Sequence, residues 1–272
     1  IIINKELDVI IPTIGRKKYL YDVLKDLSKQ TILPKNVIII EQNPLPDSVS
    51  ELDFITTKNW PFHIKHTFTH QTGVCNARNL ALNQIESEWV FLNDDDNRFD
   101  EHLIEAVFKK AHEFGVLAAT TAYLQENEKL LFTKTHQTGI FGSGNTFVKT
   151  SALKDVSFNM ALEFGYGEDF DFGVQLRNKG IDVVCFPDIK INHLKAPIGG
   201  FRAKVKQQWE DDLIQPKPSP TIMYIYLKHS TKKQILSYKW VLFLKLLKKE
   251  SIFSYVSFFK EFKSKWTASQ HW

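Results

Sequence analysis

The sequence predicts an α/β protein, with a mixed, mainly parallel sheet flanked by helices and a C-terminal helical appendage. Largely apolar runs at residues 7–12, 36–40 and 89–92 are typical of strands buried on both faces of a sheet. Segments with apolar residues at helical spacing lie between these runs, and strand–helix alternation of this kind favours a parallel sheet. After residue 202 the composition changes to lysine, aromatic residues and leucine, which indicates a separate helical region.

The first half of the chain alternates regularly. The strand at 7–12 ends at a proline, and a helix is predicted over residues 19–27. Strands at 36–40 and, more weakly, 64–68 are followed by a helix over 73–85. The strand at 89–92 runs directly into Asn93 and three aspartates, and a helix over 103–111 ends before Gly115.

The pattern changes beyond residue 116. Strands are predicted at 116–124 and 129–135, and a glycine-rich turn follows at 139–145 before extended structure resumes at 146–148. A helix over 169–179 is expected to stop at Gly180, because glycine commonly ends helices. A further strand is predicted at 182–186.

We therefore divide the chain into a domain over residues 1–202 and a mainly helical extension over 203–272. Prolines at 216, 218 and 220 mark a linker, and residues 222–265 are predicted to be largely helical. The extension carries thirteen lysines, no arginine and five acidic residues, a net charge of +8, which leaves −4 for the rest. This asymmetry indicates different partners for the two regions.

Composition and cysteine usage predict a cytoplasmic protein. The 43% hydrophobic and 24% charged residues are ordinary for soluble globular proteins. Cys75 and Cys185 lack metal-type spacing and are expected to be free thiols in a reducing compartment, with a single disulfide as the alternative. We find neither a signal peptide nor a run of about 18 uncharged apolar residues that would span a membrane.

Acidic residues at a strand end give the first functional signal. In open parallel sheets ligands bind at the carboxyl ends of the strands, and Asp94, Asp95 and Asp96 lie at such an end. Adjacent carboxylates repel one another, and a divalent cation such as Mg²⁺ or Mn²⁺ would relieve the repulsion. A solvated turn that caps the next helix explains the triplet equally well.

A second acidic cluster favours the metal interpretation. Glu168, Asp169 and Asp171 open the helix predicted at 169–179, and aromatic and glycine residues crowd them from 164 to 167. Helix capping explains acids at this place, but the apolar surroundings are typical of a carboxylate whose basicity is tuned in a partly dry pocket.

The chain resembles the family 2 glycosyltransferases, which have the GT-A fold. The matching segments occur in the family's order and cover about residues 7–202. They are VIIPTIGR (9–16), IIEQN (39–43), GVCNARNLAL (73–82), VFLNDDDNRF (90–99), GSGNTFVK (142–149), FGYGEDFDFGVQLRNKG (164–180) and INHLKAPIGGFR (191–202).

The resemblance implies a nucleotide-sugar donor. Pro12, Thr13 and Glu41 match positions that hold the nucleotide base of the donor. The family usually has aspartate in place of Glu41, which leaves the preference for one nucleotide base open. Further residues assigned to the donor are Arg16, Arg78 beside the base and phosphates, Asp94 near the ribose, Gly144 in the floor of the site, and Arg202 on a loop toward the diphosphate. A surface role is the alternative for Arg78 and Arg202.

The resemblance also implies a metal and a catalytic base. The Asp-x-Asp motif fits either Asn93 to Asp95 or Asp94 to Asp96, and Asp95 and Asp96 are the expected metal ligands, with Mn²⁺ or Mg²⁺ as the ion. His193 matches a histidine that completes the coordination, with a purely structural role as the alternative. Asp169 matches the base that deprotonates the acceptor hydroxyl in an inverting displacement, and Glu168 is expected to orient the acceptor or the base.

The acceptor implied by the resemblance is a saccharide or lipid-linked saccharide, in a bacterial envelope-polysaccharide pathway by family analogy. Residues 207–209 only faintly match the Gln-x-x-Arg-Trp motif of processive members, which favours transfer of one sugar. The lysine- and aromatic-rich tail is expected either to lie on an anionic membrane, on the cytoplasmic face of the inner membrane, or to pack on the catalytic domain. Nucleic acid is not an expected partner, and the sequence leaves the oligomeric state unknown.

Two other classes of function remain open. A nucleotidyltransferase can share such a sheet and metal site, but it would need a glycine-rich basic loop after the first strand, where residues 13–17 hold one glycine. A degenerate, non-catalytic membrane module is the second alternative. Asn93 supports it slightly, whereas the three aspartates and the Glu168–Asp169 pair oppose it.

Overall fold

The computed structural model describes residues 6–197, 205–248 and 255–272. Its strands are β1 (Leu7–Thr13), β2 (Asn36–Gln42), β3 (His63–Thr69), β4 (Trp89–Asn93), β5 (Asn97–Arg98), β6 (Ala118–Leu124), β7 (His136–Thr138), β8 (Asn145–Lys149) and β9 (Val183–His193). Its α-helices are α1 (Lys17–Ser28), α2 (Phe54–Thr57), α3 (Val74–Leu82), α4 (Leu103–Phe114), α5 (Glu168–Asn178), α6 (Pro220–His229), α7 (Lys232–Leu247) and α8 (Tyr255–His271).

The strands of the described residues form one sheet in the order β3-β2-β1-β4-β8-β6-β9-β5, with β7 also paired to β9. The strands β3, β2, β1 and β4 are mutually parallel. Strand β8 runs antiparallel to both β4 and β6, while β6 and β9 are parallel. This arrangement confirms the predicted mixed, mainly parallel sheet.

Helices cover both faces of the sheet, as predicted. On one face the apolar sides of α1 and α4 pack against β1, β2 and β4, and on the other face α3 and α5 do the same. The apolar residues of α1 recur at helical spacing, and Leu20, Val23 and Leu24 are fully buried. Burial of such side chains contributes about 1.5–3 kcal/mol each, so the periodicity read from the sequence marks the faces that hold the sheet.

Glycines end two of the helices that flank the sheet. Gly115 follows α4 with φ of 64° and Gly180 follows α5 with φ of 75°. Both values lie in the left-handed region, which costs glycine little because it lacks a Cβ atom. The predicted helix ends are therefore confirmed.

One predicted strand is wrong. Residues 129–135 are irregular, and the short strand β7 begins only at His136. The apolar side chains that suggested a strand point into solvent, since Leu131 is 91% and Phe132 63% exposed. Three consecutive apolar residues were mistaken for a buried strand because periodicity alone does not distinguish a buried run from an exposed one.

Contacts divide the chain into two compact units. One contains residues up to 164 and from 168 to 203, and the other contains 165–167 and the residues from 204 onward. The second unit has its own small core, in which Met223 of α6 and three aromatic residues of α8 are buried, namely Phe258, Phe262 and Trp266. The division into domains at residues 1–202 and 203–272 stays a prediction.

The predicted helical content of the second unit is present, divided among α6, α7 and α8. In the part of the chain that is described, none of the helices combines the length and apolarity that a bilayer crossing requires. Cys75 and Cys185 are free thiols, as expected from their spacing.

Candidate active site

The candidate site lies where five neighbouring strands present their ends. Thr13 ends β1, the aspartates follow β4, Gly144 precedes β8, Tyr123 lies near the end of β6 and His193 ends β9. Because β1, β4, β8, β6 and β9 are adjacent in the sheet, residues far apart in sequence come to one edge. This is the edge at which open α/β sheets bind ligands.

A bulge aims the end of β9 at this edge. The register between β6 and β9 shifts after Thr121, so that Ala122 pairs with Lys190. Beyond the bulge, His193 pairs with Asn97 of the short strand β5. Bulges re-aim side chains next to functional sites, and this one brings the imidazole Nε2 of His193 to 3.4 Å from Asp96 Oδ1.

The three aspartates have different partners. Asp95 is buried, and its Oδ2 accepts a hydrogen bond from Thr13 Oγ1 at 2.6 Å while its Oδ1 lies 2.8 Å from Arg16 Nη1. Burial raises the pKa of Asp95 to about 6, against the opposing effects of Arg16 and Thr13. Its two oxygens are thus engaged by protein groups, and the role of Asp95 as a metal ligand stays a prediction.

Asp94, Asp96 and His193 form the group that fits a metal ion. One ligand atom from each lies within 4.8 Å of the others. Burial raises the pKa of Asp96, but hydrogen bonds from His193 and from the Ala196 backbone N–H outweigh that effect, and the net pKa is lowered. Two carboxylates and one imidazole offer oxygen and nitrogen donors to a divalent cation, and the identity of that ion stays a prediction.

Asp169 lies in the first turn of α5, beside Ser143. The Ser143 hydroxyl donates to Asp169 Oδ1, and the Ser143 backbone N–H donates to Oδ2 at 3.4 Å. Partial burial raises the pKa of Asp169, while Arg78 and Ser143 act in the opposite direction. The side chain is 38% exposed, so it remains accessible to a reactant and water screens part of this shift.

Arg78 of α3 connects the two acidic groups. Its Nη2 donates to Asp94 Oδ1 at 3.0 Å, and its Nη1 lies 3.9 Å from Asp169 Oδ1. The side chain is only 6% exposed. A cation buried between two carboxylates attracts both of them and so restricts the distance between them.

The start of α3 is itself held by a carboxylate. Glu163 accepts the backbone N–H of Cys75 and of Asn76, at 3.1 and 2.7 Å. These are two of the N–H groups that a helix start leaves unpaired, and the helix dipole favours the negative charge there. Because Glu163 precedes the acidic helix α5 by only a few residues, this contact ties Arg78 and Asp169 to a common support.

Residues predicted to hold the nucleotide base lie on β1 and on the neighbouring strand β2. Pro12 and Thr13 pair with Ile40 and Glu41 across β1 and β2. The Glu41 carboxylate lies 2.9 Å from His66 Nε2 and accepts the Glu51 N–H at 3.1 Å. Burial raises the pKa of Glu41, but these hydrogen bonds outweigh it, so that the net pKa is lowered.

The structure thus brings most of the predicted site residues to one edge, and their roles stay predictions. Glu168 lies in the first turn of α5 beside Asp169. Gly144 lies next to Asp94, where a Cβ atom would come within 2.2 Å of Asp94 Oδ2.

Asn93 is fully buried and accepts a hydrogen bond from Asn97, so it belongs to the support beneath the aspartates. Arg202 lies outside the described residues.

Sequence reasoning missed Tyr123 and Ser143 as individual residues. Ser143 lies inside the glycine-rich motif at 142–145, and its position between two glycines was a usable signal. The Tyr123 hydroxyl donates to Asp94 Oδ2 at 2.9 Å and its ring stacks on His193. Burial and the charge of Asp94 raise the pKa of Tyr123, so the phenol remains a donor. Its only sequence signal was its place near a strand end.

Solved structures with a similar backbone define the fold. S. aureus TarS residues 1–349 in complex with UDP-GlcNAc superposes with a TM-score of 0.60 at 17% identity, over 74% of this chain and 62% of that one. GalNAc-T7 with UDP, GalNAc and Mn²⁺ gives a TM-score of 0.58 at 10% identity, over 70% of this chain and 44% of that one. The fold is the GT-A fold of glycosyltransferases, as predicted.

The sequence comparison then gives the family. The profile described as Glycosyl transferase family 2 matches residues 8–165, and the chain belongs to that family. A protein of Rickettsia conorii named as a glycosyltransferase is 28% identical over 144 residues, which cover 53% of this chain. A Rickettsia felis protein of the same description is 27% identical over 144 residues. The matched segment covers 23% of either relative's length.

Proposed function

We propose that the protein is a metal-dependent, inverting glycosyltransferase that moves one sugar from a nucleotide-diphosphate donor to a hydroxyl group. Family membership supports the class of reaction. The observation that carries the mechanism is the buried Arg78, which contacts Asp94 of the metal group and approaches Asp169. The cation site and the base are therefore adjacent, as a single displacement requires.

In this reaction Asp169 takes the proton of the acceptor hydroxyl. The acceptor oxygen forms a bond to the anomeric carbon as the bond from that carbon to the diphosphate oxygen breaks. Attack from the face opposite the diphosphate inverts the anomeric configuration. A positioned general base contributes about 10²–10⁴-fold to the rate, and Ser143 holds the Asp169 carboxylate in place for this step.

Asp94, Asp96 and His193 would hold the ion, which supplies positive charge to the departing diphosphate when bound. Arg16 lies against Asp95 and Asp96 and adds a fixed positive charge at the same edge. Pro12, Thr13 and Glu41 would border the nucleotide base. The solved neighbours contain UDP-GlcNAc in one case and UDP with GalNAc in the other, which supports a UDP-linked donor here.

The direct test is release of UDP by the purified protein. A panel of UDP-sugars is incubated with Mn²⁺, with Mg²⁺ and with EDTA, and we expect turnover with at least one donor, fastest with Mn²⁺ and abolished by EDTA. Asp169→Asn should lower kcat by about 10²–10⁴-fold. The matched control is Asp155→Asn, an exposed position with φ of 55° that asparagine tolerates. Full transfer activity in Asp169→Asn would eliminate the proposed base.

We also propose that the acceptor is a saccharide or lipid-linked saccharide at an anionic membrane, which α7 would contact. Leu236, Trp240 and Leu244 recur every four residues along this helix and are each more than half exposed. The helix carries four lysines and no acid (Lys232, Lys233, Lys239 and Lys245). Exposed apolar residues beside lysines are typical of helices that lie in a membrane interface.

Co-sedimentation with vesicles tests this surface. We expect the protein to bind phosphatidylglycerol vesicles more strongly than phosphatidylcholine vesicles, and Trp240→Ser with Leu244→Ser to lose most of that binding. The control is Leu131→Ser, which removes an exposed leucine from the other unit. Equal binding of the double variant and the wild type, or a dimer that the double variant dissociates, would contradict membrane contact.

A further inference from the structure

Tyr123 contacts two of the three residues that would hold the metal. Its hydroxyl donates to Asp94 Oδ2 at 2.9 Å, while its ring lies parallel to the His193 imidazole, with centroids 4.7 Å apart and an interplanar angle of 11°. Asp94 is 26% exposed and His193 is 24% exposed, so neither ligand is held by burial alone. A single side chain thus limits the orientation of both.

The hydrogen bond also fixes which carboxylate rotamer Asp94 adopts. Arg78 binds Oδ1 and Tyr123 binds Oδ2, so rotation of the carboxylate would break one contact or both. Each oxygen keeps a lone pair for an ion, because a carboxylate offers about four acceptor sites. Outer partners of this kind orient metal ligands, and their loss typically weakens metal affinity by about 10–100-fold.

The position of Tyr123 in β6 explains why it reaches both ligands. It pairs with Ile191 of β9, beyond the register shift, and so lies two residues short of His193 on the neighbouring strand. On its other side the turn before β8 approaches closely, since a Cβ atom on Gly144 would lie 2.8 Å from the Tyr123 hydroxyl. The phenol therefore contacts both Asp94, which follows β4, and His193, which ends β9.

We infer that Tyr123 is a positioning residue for the metal site, whose hydroxyl orients Asp94 and whose ring orients His193. The inference rests on the proposed function, because it assumes that Asp94, Asp96 and His193 bind a divalent cation. It adds a residue that would act through the two ligands Asp94 and His193. Its effect should appear in metal binding before any turnover.

The test is a Mn²⁺ titration of the metal-free protein, followed by the electron paramagnetic resonance signal of free Mn²⁺. Tyr123→Phe keeps the ring and removes the hydroxyl, and we expect its Mn²⁺ affinity to fall by about 10–100-fold. Tyr21→Phe is the matched control, since it removes a hydroxyl from the α1 tyrosine that packs against Phe54 and Trp60, and it should bind Mn²⁺ as the wild type does.

Electron spin echo measurements distinguish the effect of the Tyr123 ring on His193 from the effect of its hydroxyl on Asp94. The nitrogen coupling of a histidine ligand to Mn²⁺ should be present in the wild type and in Tyr123→Phe, and reduced in Tyr123→Leu, which removes the stacked ring. Wild-type affinity in Tyr123→Phe would overturn the inference and leave the metal site intact. If the wild type bound no Mn²⁺, both the metal site and the inference would fall.

Discussion

Replacement of Gly144 by alanine tests the packing around the aspartates most sharply. The new Cβ atom would lie 2.2 Å from Asp94 Oδ2 and 2.8 Å from the Tyr123 hydroxyl. An ordinary contact is about 3.5 Å, so the carboxylate has to move by about 1 Å. It can do so only by weakening its hydrogen bonds to Arg78 and Tyr123.

A misplacement of about 1 Å in an active site can lower the rate about 10²-fold, and overpacking of this kind destabilises a fold by about 1–3 kcal/mol. We therefore expect Gly144→Ala to fold, with a lower Tm, and to lose about two orders of magnitude in kcat together with Mn²⁺ affinity. The assays are UDP release at saturating donor, Mn²⁺ titration and thermal unfolding.

Gly139→Ala is the control for this experiment. It lies in the same connection before β8, and a Cβ atom there would meet nothing within 4 Å. We expect wild-type kcat and metal affinity in this variant. Wild-type values in Gly144→Ala would refute the close approach of the turn to Asp94, and equal losses in both variants would show a general effect of the loop.

Three further predictions concern stability and reactivity. Arg78→Met removes the buried cation that binds the partly exposed Asp94 and should lower the free energy of unfolding by about 1–3 kcal/mol in urea titrations; an unchanged midpoint would contradict a stabilising role of this pair. Glu41 has a lowered pKa in the folded protein, so its contribution to stability is present above the unfolded value and is lost as the pH falls. The free energy of unfolding of the wild type should therefore fall between about pH 5 and 3. If it fell as steeply in Glu41→Gln, groups other than Glu41 would be the cause of this pH dependence. Burial raises the pKa of the Cys75 thiol, so this thiol should react with iodoacetamide at pH 8 only after unfolding, which mass spectrometry of the labelled peptide checks.

The central strands β1, β2 and β4 were predictable because they are buried on both faces of the sheet. The runs that form β1, β2 and β4 are largely apolar, and almost all of their residues are buried. Uninterrupted apolar runs of this length are typical of strands in the centre of a parallel sheet. The helices α1 and α4 were predictable for the related reason that their apolar residues recur at helical spacing. Very short elements such as β5, at Asn97 and Arg98, carry no such signal because two residues show no period.

The acidic residues of the candidate site could be identified from the sequence, whereas the partner of each one could not. Consecutive aspartates and the Glu168–Asp169 pair carry a chemical signal in the sequence alone. Which aspartate faces which partner depends on the twist of the chain after β4, and only the structure shows Asp95 turned to Thr13 and Arg16. Tyr123 acts through contacts across strands, and such contacts leave no local pattern in a single sequence.

The central claim is that Asp94, Asp96 and His193 hold one ion while Asp169 faces the attacking hydroxyl. Anomalous diffraction from crystals grown with Mn²⁺ and UDP tests it most directly. We expect one Mn²⁺ peak at about 2.0–2.6 Å from these three side chains, with the diphosphate bound to the ion and Asp169 directed at the sugar position. A Mn²⁺ peak bound by other residues, or UDP bound at another edge of the sheet, would contradict it.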